Sequence, residues 1–287
     1  MSISRFFLII TTGLLLAGCS VPPPVPVPLP SAISGQPSPC EPLSLAGFPR
    51  QDPPSEKTYY ICKPGVFAVN FNPDHRTPQW AVQHIQAQDS DPSSGPAARV
   101  DKNDTRPDPD LPEARASALD DFIDTGYELA YLVSPNSFPY DDIRYSRSQY
   151  LSNAFPIHPD KKQTWLGLTD FALTAARQRG QVKVISGTIY PNGVGRGWVG
   201  VADTSSSGDK GKVQVPESLF KVIVDPETGE YIAFLVSNGP TVENKPPAVI
   251  TTWEEIERAT GLVLAPDSPQ SWRRYQSAPP SPEAWRP

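Results

Sequence analysis

The chain has 287 residues, 38% of them hydrophobic and 20% charged, with 36 prolines, three cysteines and a formal net charge of −6. An acidic balance repels polyanions unless a basic groove or bound cations compensate, so composition argues against a nucleic-acid partner. No Walker loop, dinucleotide fingerprint, Gly-x-Ser-x-Gly elbow or zinc-spaced His/Cys set occurs, which removes the chemistries those motifs carry.

A single cation, Arg5, precedes an apolar run from Phe6 to Leu16 and then Leu16-Ala17-Gly18-Cys19. The run is shorter than the ~20 apolar residues a membrane-spanning helix needs. Small residues before a cysteine resemble a bacterial lipobox, which predicts a signal peptide over residues 1–18 and lipidation of Cys19. Ser20 is not the aspartate that resembles an inner-membrane retention signal, so the expected address is the cell envelope, anchored at the outer membrane. The membrane is then a partner through the lipid, each buried methylene contributing about 0.8 kcal/mol. Cleavage takes Arg5 away and leaves a net charge of −7.

Residues 19–56 read as a tether. Val21 to Pro30 is mostly proline, lacks the amide protons of a helix or sheet interior, and extends at ~3.1 Å per residue as polyproline II. In an oxidising compartment Cys40 and Cys62 are free to pair, and a Cys40–Cys62 disulfide is predicted; two separate buried thiols are the alternative. Too few ligands accompany them for a metal site.

The folded domain is expected over residues 57–266. Residues 59–62 and 66–71 read as two strands of a hairpin around Lys63-Pro64-Gly65. Asp89 to Pro112 reads as a long surface loop, followed by helical segments near 113–121 and 145–152. Trp165, Leu168, Phe171, Leu173 and Ala175 fall on helical spacing and predict a core-facing helix over 160–179. Strands follow at 182–186, 198–201, 212–215, 219–224 and 231–236, the last two joined by Asp225-Pro226-Glu227-Thr228-Gly229. Gly193, Gly195 and Gly197 mark a turn between strands. A final helix over 252–260 stops at Gly261. Residues 267–287 lack periodicity and read as a disordered tail, in which Trp272-Arg273-Arg274-Tyr275 could stack on bases or a protein.

Residues 67–80, Phe-Ala-Val-Asn-Phe-Asn-Pro-Asp-His-Arg-Thr-Pro-Gln-Trp, resemble the opening strand and loop of the DNA/RNA non-specific endonucleases of the ββα-metal superfamily. Further matches follow in order: Arg106-Pro107-Asp108-Pro109, Gly126-Tyr127, Tyr150-Leu151-Ser152-Asn153, Trp165, Val184-Ile185-Ser186-Gly187, Val215-Pro216, Phe220-Lys221-Val222 and Thr260-Gly261-Leu262. The resemblance implies an α+β fold, a central antiparallel sheet flanked by helices, with disordered N- and C-terminal segments.

It also implies where a site should be, and there the chain departs from the pattern. Where the family has Asp-Arg-Gly-His after Gly-Tyr, this chain has Glu128-Leu129-Ala130-Tyr131. The family's histidine is a general base; a phenol at Tyr131, with an ordinary pKa near 10, is a poor substitute, and Leu129 cannot make a bidentate phosphate contact. The asparagine that binds the family's metal falls at Lys161 or Lys162, neither of which can ligate magnesium, although Lys162 could set a fixed positive charge there. The acidic residue a helical turn after the tryptophan falls at Thr169, beside Asp170. Asn153 is retained, with helix capping as its structural alternative. His75, His84 and His158 match no catalytic position, and surface or capping roles are expected for each; His158, close after Asn153, is the candidate for a displaced base.

The sequence thus predicts an envelope lipoprotein whose endonuclease-like domain is inactive and binds or scaffolds, its partner a nucleic acid or an envelope protein, with no cofactor. The alternatives are a nuclease with a rewired site, using Mg2+ or another divalent cation, and a purely structural lipoprotein with a filled cleft.

Overall fold

The computed structural model describes residues 39–51, 58–98, 104–200, 212–276, 278 and 280–285. The expected signal peptide, Cys19 and the spacer over residues 21–30 lie outside them. In chain order the strands are β1 (Arg50–Gln51), β2 (Tyr59–Lys63), β3 (Phe67–Asn72), β4 (Thr77–Gln86), β5 (Glu128–Tyr131), β6 (Ala154–Ile157), β7 (Gln181–Ile189), β8 (Gly197–Val199), β9 (Val213–Val215), β10 (Ser218–Val224), β11 (Tyr231–Ser237), β12 (Val249–Thr251) and β13 (Leu262–Val263). The α-helices are α1 (Asp142–Ser148), α2 (Pro159–Arg179), α3 (Trp253–Thr260) and α4 (Arg273–Gln276). Among the described residues no helix is long and apolar enough to cross a membrane.

Seven strands form the main sheet in the order β12-β11-β10-β7-β4-β3-β2, every neighbouring pair antiparallel. Turn chemistry sets two of the hairpins. Gly65 takes a φ of +72° between β2 and β3, and Gly229 a φ of +78° between β10 and β11, a region that glycine enters without a Cβ penalty.

Both faces of this sheet are covered, so its central strands read as apolar runs, not alternations. In β10, Leu219 and Ile223 pack under α2 with Trp165, Leu168 and Ala172, while Phe220, Val222 and Val224 face Trp253, Ile256 and Leu45 on the other side. The helix α2 starts at a proline, with the His158 side chain accepting from the Asp160 N–H at 3.3 Å, and ends at Gly180. In α3 the Thr252 hydroxyl and the Glu255 carboxylate cap each other's amides, and Gly261 closes the helix in the left-handed conformation. Two small pairs, β5 with β6 and β8 with β9, stand apart from the main sheet and enclose a third cluster around Phe122, Leu151 and Val213.

The α+β class and central antiparallel sheet stand as expected, and Cys40 and Cys62 form the disulfide, their Cα atoms 5.8 Å apart. Four readings differ. The packed region begins before residue 57: Leu43 and Leu45 are buried, and β1 pairs with β13. Residues 113–121 form two short 3-10 turns instead of a helix, because the Asp121 carboxylate accepts from the Ala118 N–H at 2.8 Å and ends one turn by starting the next. The helix expected near 145–152 is α1, which begins earlier, where Asp141 caps the Arg144 N–H at 2.9 Å. In the segment read as a disordered tail, Trp272 and Trp285 are buried, Trp272 against the Gly229 turn and Trp285 under the Arg179 guanidinium at 3.9 Å. Trp272 is therefore unavailable for stacking on a partner.

Candidate functional site

The strand β5 carries Glu128, Leu129, Ala130 and Tyr131, the four residues the sequence aligns with the family's motif. It pairs with β6 in the register Glu128↔Ile157 to Tyr131↔Ala154, beside the first turns of α2. Together with Thr105, with Tyr145 of α1, and with Lys162 and Trp165 of α2, it lines a cavity of about 420 Å³. The cavity is thus assembled from several separate stretches of chain around residues 128–131.

The electrostatics of this cavity are those of a neutralised site. The Lys162 ammonium is bound to the Glu128 carboxylate, with both side chains partly exposed. The Tyr131 hydroxyl shares a hydrogen bond of 2.5 Å with Thr105. Burial raises the phenol's pKa, against the lowering effect of the Thr105 bond, so it holds its proton at neutral pH. The Tyr131 carbonyl accepts from Trp165 Nε1 at 2.8 Å, which locks the end of β5 onto α2. Tyr145, opposite, is likewise raised by burial.

The other predicted positions separate. Asn153 is fully buried and its side chain is used up by backbone: Oδ1 accepts from the Val133 N–H at 3.0 Å, and Nδ2 donates to the Val133 and Ser148 carbonyls, both at 2.8 Å. It fastens the chain after β5 to the turn before β6. Lys161 and Lys162 are consecutive on a helix and so diverge by about 100°. Only Lys162 lines the cavity; buried Lys161 reaches the Thr241 hydroxyl at 3.3 Å. Thr169 is buried in the core and Asp170 is exposed.

The family's divalent cation does not fit these residues. Among the described residues the one carboxylate at the cavity is bound by an ammonium, Asn153 is committed to backbone, and the lysines carry no lone pair when charged. Among the described residues no three His, Cys, Asp or Glu side chains are placed to hold a metal ion.

The histidines lie elsewhere. His158 caps α2, with its ring 6.0 Å from Tyr127. His84 hydrogen-bonds Gln181 at 2.8 Å. His75 lies against Tyr190 in a second cavity, the ring centroids 4.2 Å apart and the planes tilted by 41°, and burial lowers its pKa, so it is neutral at neutral pH. Sequence reasoning missed Thr105 and Tyr145 as cavity residues, and no motif or periodicity marks either. It also missed that Lys221, within a strand, is fully buried.

The sheet order, the long helix across one sheet face and the cavity at residues 128–131 define a nuclease-like α+β domain. The family model described as DNA/RNA non-specific endonuclease matches residues 48–271, and the chain belongs to that family. Among its relatives, the mitochondrial nuclease EXOG of Xenopus laevis is 25% identical over 79% of this chain and 62% of its own length. The mitochondrial nuclease 1 of Schizosaccharomyces pombe is 28% identical over 58% of this chain and 55% of its own. The chain therefore spans somewhat over half the length of these two relatives. A nuclease of Nostoc sp. is 26% identical and matches along 86% of this chain and 87% of its own. A solved EndoG/EndoGI complex superposes with a TM-score of 0.67 at 18% identity, covering 83% of this chain and 95% of that one, which shows a common fold.

Proposed function

We propose that this protein is a bacterial envelope lipoprotein, anchored through Cys19 at the outer membrane, whose nuclease-like domain binds or positions a partner without cleaving phosphodiesters. One observation carries the reading: the phenol aligned with the general base is protonated and bound to Thr105, and the carboxylate beside it is paired with Lys162 and not free for a cation. A general base contributes roughly a hundred- to ten-thousand-fold in rate, and Tyr131 cannot supply it at neutral pH. Tethering agrees with this reading, because a protein that acts by being in place depends on its address more than a diffusing scavenger does.

The alternative, a divalent-metal-dependent nuclease with a rewired site, is favoured by the relatives, which are named as nucleases. Plasmid nicking and RNA degradation with magnesium, manganese or calcium decide between them. Cation-dependent cleavage that Tyr131→Phe abolishes would sink the non-catalytic reading. With cleavage absent, a gel shift across a salt series asks whether nucleic acid is the partner, since phosphate contacts weaken steeply with salt. The absence of a shift at low salt removes nucleic acid as the partner. The anchor has its own test: incorporation of labelled fatty acid by the expressed chain, lost in Cys19→Ser.

A further inference from the structure

Between the sheet and α2 lies a group of polar side chains that the cavity does not use. Lys221 interrupts the apolar run of β10, is 0% exposed, and holds its Nζ 4.4 Å from the centroid of the Trp165 ring with no hydrogen-bond partner. Its neighbour across the ladder, Ser186 of β7, faces the same side, and its Oγ is buried without a partner. Thr169 follows Trp165 by one helical turn, so the two share a face of α2, and its Oγ1 is also buried and unpartnered. Gln83 of β4 pairs with Val184, two residues from Ser186 on the same sheet face, and neither atom of its buried amide has a partner.

Buried polar groups of native proteins are hydrogen-bonded in the great majority, so four such side chains on facing surfaces call for a common partner. Their chemistry selects it. The ammonium of Lys221 and the Gln83 Nε2 donate, the hydroxyls of Ser186 and Thr169 can donate, and no carboxylate is among them, the Gln83 Oε1 being the group's one obligate acceptor. Water would satisfy the hydroxyls but leave a buried positive charge uncompensated, whereas an anion satisfies both. Trp165 stands between this group and the cavity at Tyr131, which keeps the two sites separate.

We propose that Lys221, Ser186, Thr169 and Gln83 form an interior site for a monatomic anion, chloride in ordinary salt. The site ties β4, β7 and β10 to α2 by ion-mediated bonds.

The experiment compares melting of the purified protein in sodium chloride and in sodium gluconate at equal ionic strength, together with bromide-soaked crystals. The expected result is a higher melting temperature in chloride, and an anomalous bromide peak within hydrogen-bonding reach of Lys221 Nζ. Lys221→Met should fold and lose the chloride response. Ser186→Ala, which keeps the cation, should weaken the apparent chloride affinity roughly tenfold, the effect of one hydrogen bond to an ion. Thr169→Glu supplies an internal carboxylate and should make stability indifferent to chloride. Equal melting in the two salts for the unaltered protein, or bromide found on the surface alone, overturns the proposal.

Discussion

The Lys162 ammonium and the Glu128 carboxylate bind each other at the cavity on β5, so the one acidic group lining that cavity among the described residues is neutralised by the helix beside it. Both side chains are partly exposed, which limits the pair to about 1 kcal/mol or less. Lys162→Met should therefore change stability by no more than about 1 kcal/mol in denaturant melts. It should also leave plasmid nicking at background with every divalent cation tried, because one freed carboxylate is too small a ligand set for magnesium.

Restoring the motif on β5 tests the same site from the other side. Glu128→Asp, Leu129→Arg, Ala130→Gly and Tyr131→His together return the base and the phosphate-binding arginine, yet supply no ligand on α2. Nicking is expected to rise by less than about tenfold, well short of what a working general base contributes. A much larger rise would mean that a cation finds ligands other than those at Lys161 and Lys162.

Asn153 looks like a retained site residue in the sequence and behaves as a structural one. Asn153→Ala strands the Val133 N–H and two carbonyls in the interior, and each buried unsatisfied group costs about 1–3 kcal/mol. A loss of at least about 3 kcal/mol in chemical denaturation is expected. Any nucleic-acid or protein binding, measured below the melting point, should be unchanged.

These contrasts explain what the sequence could and could not reveal. The family tetrads that were recognisable serve as scaffold: Arg106 and Lys63 both lie over the Tyr150 ring, Ser152 donates to Asp108 at 2.5 Å, and Asp108 is paired with Lys63 at 2.6 Å. Such contacts depend on fixed residue types, so their spacing survives in the chain and identifies the fold. The strand β4 was not legible, because Pro78, Gln83 and His84 break its apolar pattern; its pairing with β3 and β7 holds it in place. The cavity was half legible. The substitutions on β5 were readable, but the partners of Glu128 and Tyr131 come from α2 and from a loop residue, Thr105, joined to them only in three dimensions.

The disulfide joins the segment before β1 to β2, and closes a loop across 22 positions of sequence. A cross-link of that span stabilises by about 3 kcal/mol in the chain-entropy account. Replacing Cys40 and Cys62 together by serine should lower stability by roughly that amount, with a matching loss on reduction of the unaltered protein. An unchanged melting temperature under reducing conditions would show that the sheet edge holds this segment without the bond.

Lys221 gives the domain a pH dependence of definite sign. Burial lowers its pKa to about 7, and its register partners Ser186 and Phe234 and the overlying Trp165 carry no charge to offset that effect. In the unfolded chain the same group titrates near 10.4. Between these values the unfolded state binds more protons, so stability rises with pH, is complete above about 10 and is lost as pH falls toward 7. The span corresponds to an order of 4–5 kcal/mol, and chloride-free buffer is the condition that isolates it. Lys221→Met removes the titrating group and should flatten the stability profile between pH 7 and 10. Its stability at pH 7 should exceed that of the unaltered chain, because an apolar side chain of similar volume replaces an uncompensated amine. A profile that keeps its slope in Lys221→Met would assign the pH dependence to another group.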